Sequence, residues 1–153
     1  MLTFISALIF SFFLQYIPIK KYTTRHTHIR DIQYTEDLSG DSPMLDQIVT
    51  ISGVVTGEPY AFNNYFYFVQ DANEPWCGIQ VYDPNRQVAE GDLVSITGTV
   101  AEYYGTTEIA SVTAFQIITP GYGGINPIIV STTDISTGNS SAESFESCLL
   151  RMY

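Results

Sequence analysis

Positive charge is what this sequence has least of. Only 6 of its 153 residues are Lys or Arg, against 16 Asp and Glu. Lys20, Lys21, Arg25 and Arg30 lie in one short run near the N-terminus; past Arg30 only Arg86 and Arg151 remain, while all 16 acids follow. Affinity for nucleic acid grows with the number of phosphates that Lys and Arg neutralise, and an acidic surface repels phosphates at long range. This counts against avid, unaided binding to a phosphate backbone. Charged residues of both signs make up 14% of the chain, well under the usual quarter or so, which argues against a long solvated helical protein or a charged disordered tail. Cysteine is scarce too. Cys77 and Cys148 make no C-x-x-C or Cys/His ligand spacing, so a structural zinc site is not indicated. They can pair in an oxidising compartment or serve as two small buried apolar residues; both readings stay open. His26 and His28 would share one face of a strand, but no third ligand lies near, and they read as linker histidines. There is no G-x-S-x-G, no Walker loop and no His/Cys/Asp constellation. None of the carboxylates is singled out by its context, so the chain is not read as an enzyme in its own right.

What is abundant is aromatic and β-branched. Aromatics make up 14%, and 11 of them are Tyr, a residue whose apolar ring and polar tip suit barrel walls and wet binding faces. Residues 2–19 form an uncharged apolar run followed by Lys20 and Lys21, which reads as a signal peptide or membrane anchor and makes the chain an exported one. Residues 20–45 read as a linker and lead-in. Then five short alternating segments follow: 48–57, 65–70, 78–82, 93–100 and 107–118. Turn residues separate them, among them Asn63-Asn64, Asp83-Pro84-Asn85 and Glu90-Gly91-Asp92. This pattern predicts a small all-β barrel or sandwich over residues 46–118. Val49, Ile51, Val55, Val69, Ile79, Val81, Val94, Ile96 and Val100 are expected inside, and Gly53 and Gly98 mark the bends that barrel closure needs. The gap between the third and fourth strands leaves room for at most one helical turn. Residues 119–141 read as a linker, and 142–153 as the start of a further segment of a longer protein.

The run Phe68-Val-Gln-Asp71, then Trp76-Cys-Gly-Ile-Gln-Val-Tyr-Asp-Pro84, then Gly91-Asp92-Leu-Val-Ser-Ile-Thr-Gly-Thr-Val-Ala-Glu-Tyr-Tyr-Gly105 resembles the OB-fold domains of bacterial secreted and cell-surface proteins. Such domains accompany extracellular endonuclease/exonuclease modules. The resemblance covers about residues 29–151. It implies a five-stranded antiparallel OB-type barrel, acting as a non-catalytic accessory module, nucleic-acid-associated through a nuclease neighbour. The alternative is a structural spacer or a carbohydrate- or protein-contacting module of a cell-surface protein. Nothing in the chain resembles the nuclease module itself.

OB barrels bind on the outer face of strands two and three. Strand parity puts Tyr65, Tyr67 and Val69 inward and Phe66, Phe68 and Gln70 outward; Gln80 and Tyr82 join the outward set, with Trp76 in the adjoining loop. Aromatics there can stack on bases or sugar rings, unless Tyr103, Tyr104 or the C-terminal linker covers the face. With Arg86 as the one basic residue between Asp31 and Leu150, a sugar or a protein neighbour fits better than a single-stranded nucleic acid, which would bind weakly. Asp71, Asn73, Glu74 and Asp83 are the oxygen donors open to a calcium ion, though their spacing matches no EF-hand loop; no other cofactor is expected. Export is testable with a periplasmic reporter fused after Arg30 and expressed in a bacterium. The reporter should reach the periplasm, and its retention in the cytoplasm would remove the basis for calling residues 2–19 a signal or anchor.

Overall fold

A computed structural model describes residues 26–59 and 65–153. The apolar run 2–19 and the Asn63-Asn64 turn lie outside the described residues. Five strands, β1 (Ile48–Gly57), β2 (Phe66–Gln70), β3 (Gly78–Tyr82), β4 (Leu93–Tyr103) and β5 (Thr106–Thr119), close into a barrel in the order β1-β2-β3-β5-β4. Every neighbouring pair is antiparallel except β3 with β5, which run parallel. This is the strand order of an OB barrel. Alternation drives it. All nine residues expected inside, from Val49 to Val100, are buried, and they share one cluster with Tyr67 and Ile109. Each large aliphatic side chain so buried contributes about 1.5–3 kcal/mol.

The two strand glycines stand where the barrel turns its corners. β1 pairs with β4 up to Val54 and with β2 from Val54 onward, so Gly53 sits at the change of partner. In β4 the register with β5 slips between Thr97 and Thr99. A Cβ on Gly98, within that slip, would lie 2.6 Å from the Ile109 side chain and 2.7 Å from the Ala110 carbonyl oxygen. Only glycine lets the strands approach so closely at a bulge.

Two segments outside the five strands also pack on the barrel. Within the stretch read as linker, α1 (Ile29–Gln33) buries Ile29 and Ile32 completely in the same core cluster. The Asp71 carboxylate accepts the Ile29 N–H at 3.0 Å, and Gln33 Nε2 donates to the Gly78 carbonyl at 2.7 Å. Five residues are too few to show a helical period, which is why the sequence reads as a linker there. Residues 83–92, between β3 and β4, hold turns and no helix. At the other end of the chain, β6 (Ile128–Val130) and β7 (Leu150–Met152) form a parallel pair, with a 3₁₀ turn at Ala142–Phe145 between them. This C-terminal segment lies against the barrel. The Trp76 N–H donates to the Ser144 carbonyl at 2.6 Å, the Leu149 N–H to Gln70 Oε1 at 2.8 Å and the Thr107 N–H to Glu146 Oε1 at 3.0 Å. The fit is close enough that a side chain at Gly78 would collide with the Ser147 backbone.

Glu146 makes this docking pH-sensitive. Burial pushes its carboxyl up to about 7; the Thr107 N–H pulls against that, and Glu143 and Glu102 add to it. The folded state therefore holds this proton better than the unfolded chain, whose carboxyl titrates near 4.5. Folding takes up a proton between these two values, so the Glu146 contribution to stability falls as pH rises from about 4.5 to about 7. Glu146→Gln keeps an acceptor for the Thr107 N–H and removes the titration. It should raise the melting temperature at pH 8 by ~4 °C, the size of one kcal/mol at this chain length, and leave it nearly unchanged at pH 4.5. Equal gains at both pH values in thermal melts would show that charge at Glu146 is not what the fold works against.

Candidate ligand-binding cleft

Register across three strands assembles the site. Phe66 stands opposite Tyr82 and Phe68 opposite Gln80 on the β2–β3 ladder. The parallel β3–β5 pairing then sets Gln80 opposite Glu108 and Val81 opposite Ile109. The inward partners Tyr67, Val69, Ile79, Val81 and Ile109 are all buried. The outward row thus reads Phe68, Gln80, Glu108, with the pair Phe66 and Tyr82 beside it. Over this end of the face opens a cleft of about 700 Å³. Its floor and near wall are Tyr65, Phe66, Gln80, Tyr82 and Glu108; its far wall is the β4–β5 hairpin, with Tyr103, Tyr104 and Thr106.

The floor is polar and ordered. Gln80 Nε2 donates to Glu108 Oε2 at 2.8 Å. Burial raises the Glu108 carboxyl above its ordinary range, the Gln80 hydrogen bond opposes that shift, and nearby Glu102 adds to it. The walls are aromatic. Tyr103 meets Tyr104 edge-on with ring centroids 4.6 Å apart, and Phe66 meets Phe68 likewise at 5.8 Å. Arg86 lines a neighbouring depression that shares Tyr82 and Glu108 with the cleft. Its guanidinium is held 2.7 Å from Asp83 Oδ2 and lies over the Phe115 ring.

The hairpin tip is built against local preference. Tyr103 pairs with Thr106, leaving a two-residue turn in which Tyr104 and Gly105 both have positive φ, 52° and 79°. Such a turn favours Asn, Asp or Gly at both positions. A tyrosine at the first costs on the order of 1 kcal/mol. The side chain recovers little of that cost by burial, since Tyr104 is 93% exposed. The ring stands at the rim of the cleft, edge-on to Tyr103.

Several residues expected on the outward face stand elsewhere. Phe66, Gln80 and Tyr82 line the cleft. Tyr65, expected inside, precedes β2 and is 54% exposed, so it joins the cleft wall instead. Gln70, expected outward and open, is fully buried; its amide donates to the Ala72 carbonyl and accepts from Leu149, so the C-terminal segment roofs it. Phe68 lies beside the same segment, in a second depression with Ser147, Cys148 and Leu149. Trp76 is absent from the cleft lining and packs edge-on against Tyr34 at 5.5 Å. The face is therefore half covered and half open, a division that only the C-terminal docking decides. Sequence reasoning names Tyr103 and Tyr104 only as residues that could cover the face, not as a wall of its cleft. It passes over Glu108, whose outward side could have been read from its parity with Ile109.

Asp83 does not converge with the other calcium candidates. Asp71 follows β2 at the Gly78 end of the ladder, and Asp83 follows β3 at the Phe66 end. A five-residue strand, about 17 Å, separates them. Asp71 Oδ2 receives the Ile29 N–H and lies 3.5 Å from His28 Nδ1, and Asp83 holds Arg86. Among the described residues no three His, Cys, Asp or Glu side chains are grouped to hold a metal ion. His26 and His28 also part company, since His26 Nε2 bonds Ser52 Oγ at 2.6 Å. Both cysteines are free thiols, and burial, with Asp71 nearby, pushes Cys77 up to about 11.

No known protein-family profile matches the chain, and no curated protein does. Solved structures similar to it include the hypothetical protein ygiW from E. coli, at 23% identity over 48% of this chain and 77% of that one, with a TM-score of 0.38. The second OB-fold domain of replication protein A from Methanococcus maripaludis shares 20% identity over 54% of this chain and 92% of that one, TM-score 0.38. Aspartyl tRNA synthetase from Entamoeba histolytica shares 18% over 74% of this chain and 25% of that one, TM-score 0.44. These TM-scores lie below 0.5, and the fold assignment rests on strand order and register instead.

If Tyr104 is kept for its exposed ring, Tyr104→Asn should stabilise the protein by about 0.5–1 kcal/mol in chemical denaturation. A loss of that size would show that the ring belongs to the fold and not to a site.

Proposed function

We propose that the barrel is a non-catalytic binding module of an exported protein, and that its cleft takes an oligosaccharide by stacking sugar rings on aromatic side chains. The single observation that carries this reading is the lining: among the described residues, five aromatics surround a Gln–Glu pair with no Lys or Arg. Aromatic faces offer sugar rings large, rigid, half-polar contact surfaces. The paired amide and carboxylate offer hydrogen bonds that a neutral polyol can satisfy. Among the described residues the lining holds one carboxyl group, Glu108, whereas glycoside hydrolysis ordinarily uses two flanking ones; this favours binding over cleavage. The exported setting rests on the apolar run 2–19 and on the resemblance to secreted OB-fold domains, and so does the expectation of neighbouring domains in a longer protein, a nuclease module among them.

A second reading, weak association with single-stranded nucleic acid, is favoured by the Phe66–Tyr82 cross-strand pair. Bases stack on such rings at about 1–3 kcal/mol each. Charge opposes it, because Arg86, the one nearby cation, is already paired with Asp83. Calorimetric titration of the full chain separates the two. An oligosaccharide panel should include binders with dissociation constants of about 1 mM or tighter, weakened several-fold by Tyr82→Ala. Single-stranded DNA at physiological salt should bind no tighter than about 1 μM, in the range typical of non-specific contacts. Sub-micromolar DNA binding in the presence of a chelator would overturn the oligosaccharide reading in favour of the second.

A further inference from the structure

Resting on the oligosaccharide reading, we infer that the cleft selects a sugar bearing a free ammonium group, with Glu108 as the residue that determines this specificity. The floor carries a carboxyl group that is 6% exposed, with Glu102 close enough to disfavour its ionisation, and among the described residues the cleft lining supplies no cation. Arg86, next to it, is committed to Asp83 and Phe115. A buried carboxylate without a basic partner is costly. A ligand that brings a positive charge to it relieves that cost, and a neutral ligand does not.

The walls point the same way. Tyr65, Phe66, Tyr82, Tyr103 and Tyr104 surround the floor. The faces of aromatic rings carry negative quadrupole potential, and an organic cation enclosed by several of them gains about 0.5–2 kcal/mol per favourable contact. Gln80 Nε2 donates to Glu108 Oε2 and so orients the carboxylate. An ionised carboxylate accepts several hydrogen bonds, which leaves capacity for ammonium N–H donors at charge-assisted strength. Phosphate and carboxylate ligands are repelled by the same floor. An amino sugar supplies both things the cleft presents surfaces for: a ring to stack and an ammonium group to pair.

The test titrates the full chain with a glucosamine tetramer, its N-acetylated counterpart and tetralysine at pH 6.5. The glucosamine tetramer should bind about tenfold tighter than the acetylated one, the factor expected of one cation–π contact with a charge-assisted hydrogen bond. Glu108→Gln should collapse that ratio towards one. Glu90→Gln, on the exposed turn before β4, should leave it unchanged, which separates local recognition from attraction by the net charge of −10. The wild-type ratio needs no variant, so the inference stays testable if Glu108→Gln does not fold. Equal binding of the two tetramers, or tetralysine binding as tightly as the glucosamine tetramer, would overturn the amino-sugar selection while leaving sugar binding in place. Failure of every sugar to bind would remove the oligosaccharide reading and this inference together.

Discussion

The barrel is closed by one short parallel pairing. β3 meets β5 through two register pairs, Gln80 with Glu108 and Val81 with Ile109, and the rest of the arrangement depends on that seam. Inward, it joins Val81 and Ile109 to the core cluster. Outward, it places an amide beside a carboxyl group and brings the tip of the β4–β5 hairpin alongside the β2–β3 face. Parallel pairing is slightly weaker per residue than antiparallel. The seam is held as much by the core beneath it as by its own hydrogen bonds. β5 can reach β3 because β4 bends at Gly98, where the absence of a Cβ lets Ile109 and Ala110 pass close by.

The outward face so formed is divided by a segment that comes from far along the chain. Residues 144–149 cross the Gly78 end, where Gln70 Oε1 accepts the Leu149 N–H and the Ser144 carbonyl accepts the Trp76 N–H. That contact takes Gln70 out of solvent and leaves the Phe66–Tyr82 end uncovered. The same face thus serves two purposes: one half is an internal interface, the other a cleft. Glu146 ties the interface to the β5 end of the seam through Thr107, so docking and cleft share a strand.

The chemistry of the cleft follows from what the chain has and lacks. Tyrosine is plentiful and cations are nearly absent, so walls that can stack on a ring surround a floor with no positive charge. Strain at Tyr104 adds to this. A turn that prefers a small polar residue instead carries an exposed aromatic ring at the cleft rim.

The alternation of Val and Ile with Ser and Thr by itself determined the barrel, its five strands, nine of its interior aliphatics and its two corner glycines. Period-2 patterning and turn residues are local signals, and burial of one strand face leaves little freedom in how they are satisfied. The shortage of Lys and Arg likewise sets the electrostatic character of any site on the barrel. Tertiary structure decided the rest. It drew α1 into the core from a stretch too short to show a helical period, moved Trp76 against Tyr34, buried Gln70 and exposed Tyr65. It also separated Asp71 from Asp83 and brought Glu108 to Gln80 across 28 residues of sequence. Parity states which side of a strand a residue faces. What stands on that side depends on contacts between segments far apart in the chain, and those form only when the barrel closes and its C-terminal segment docks.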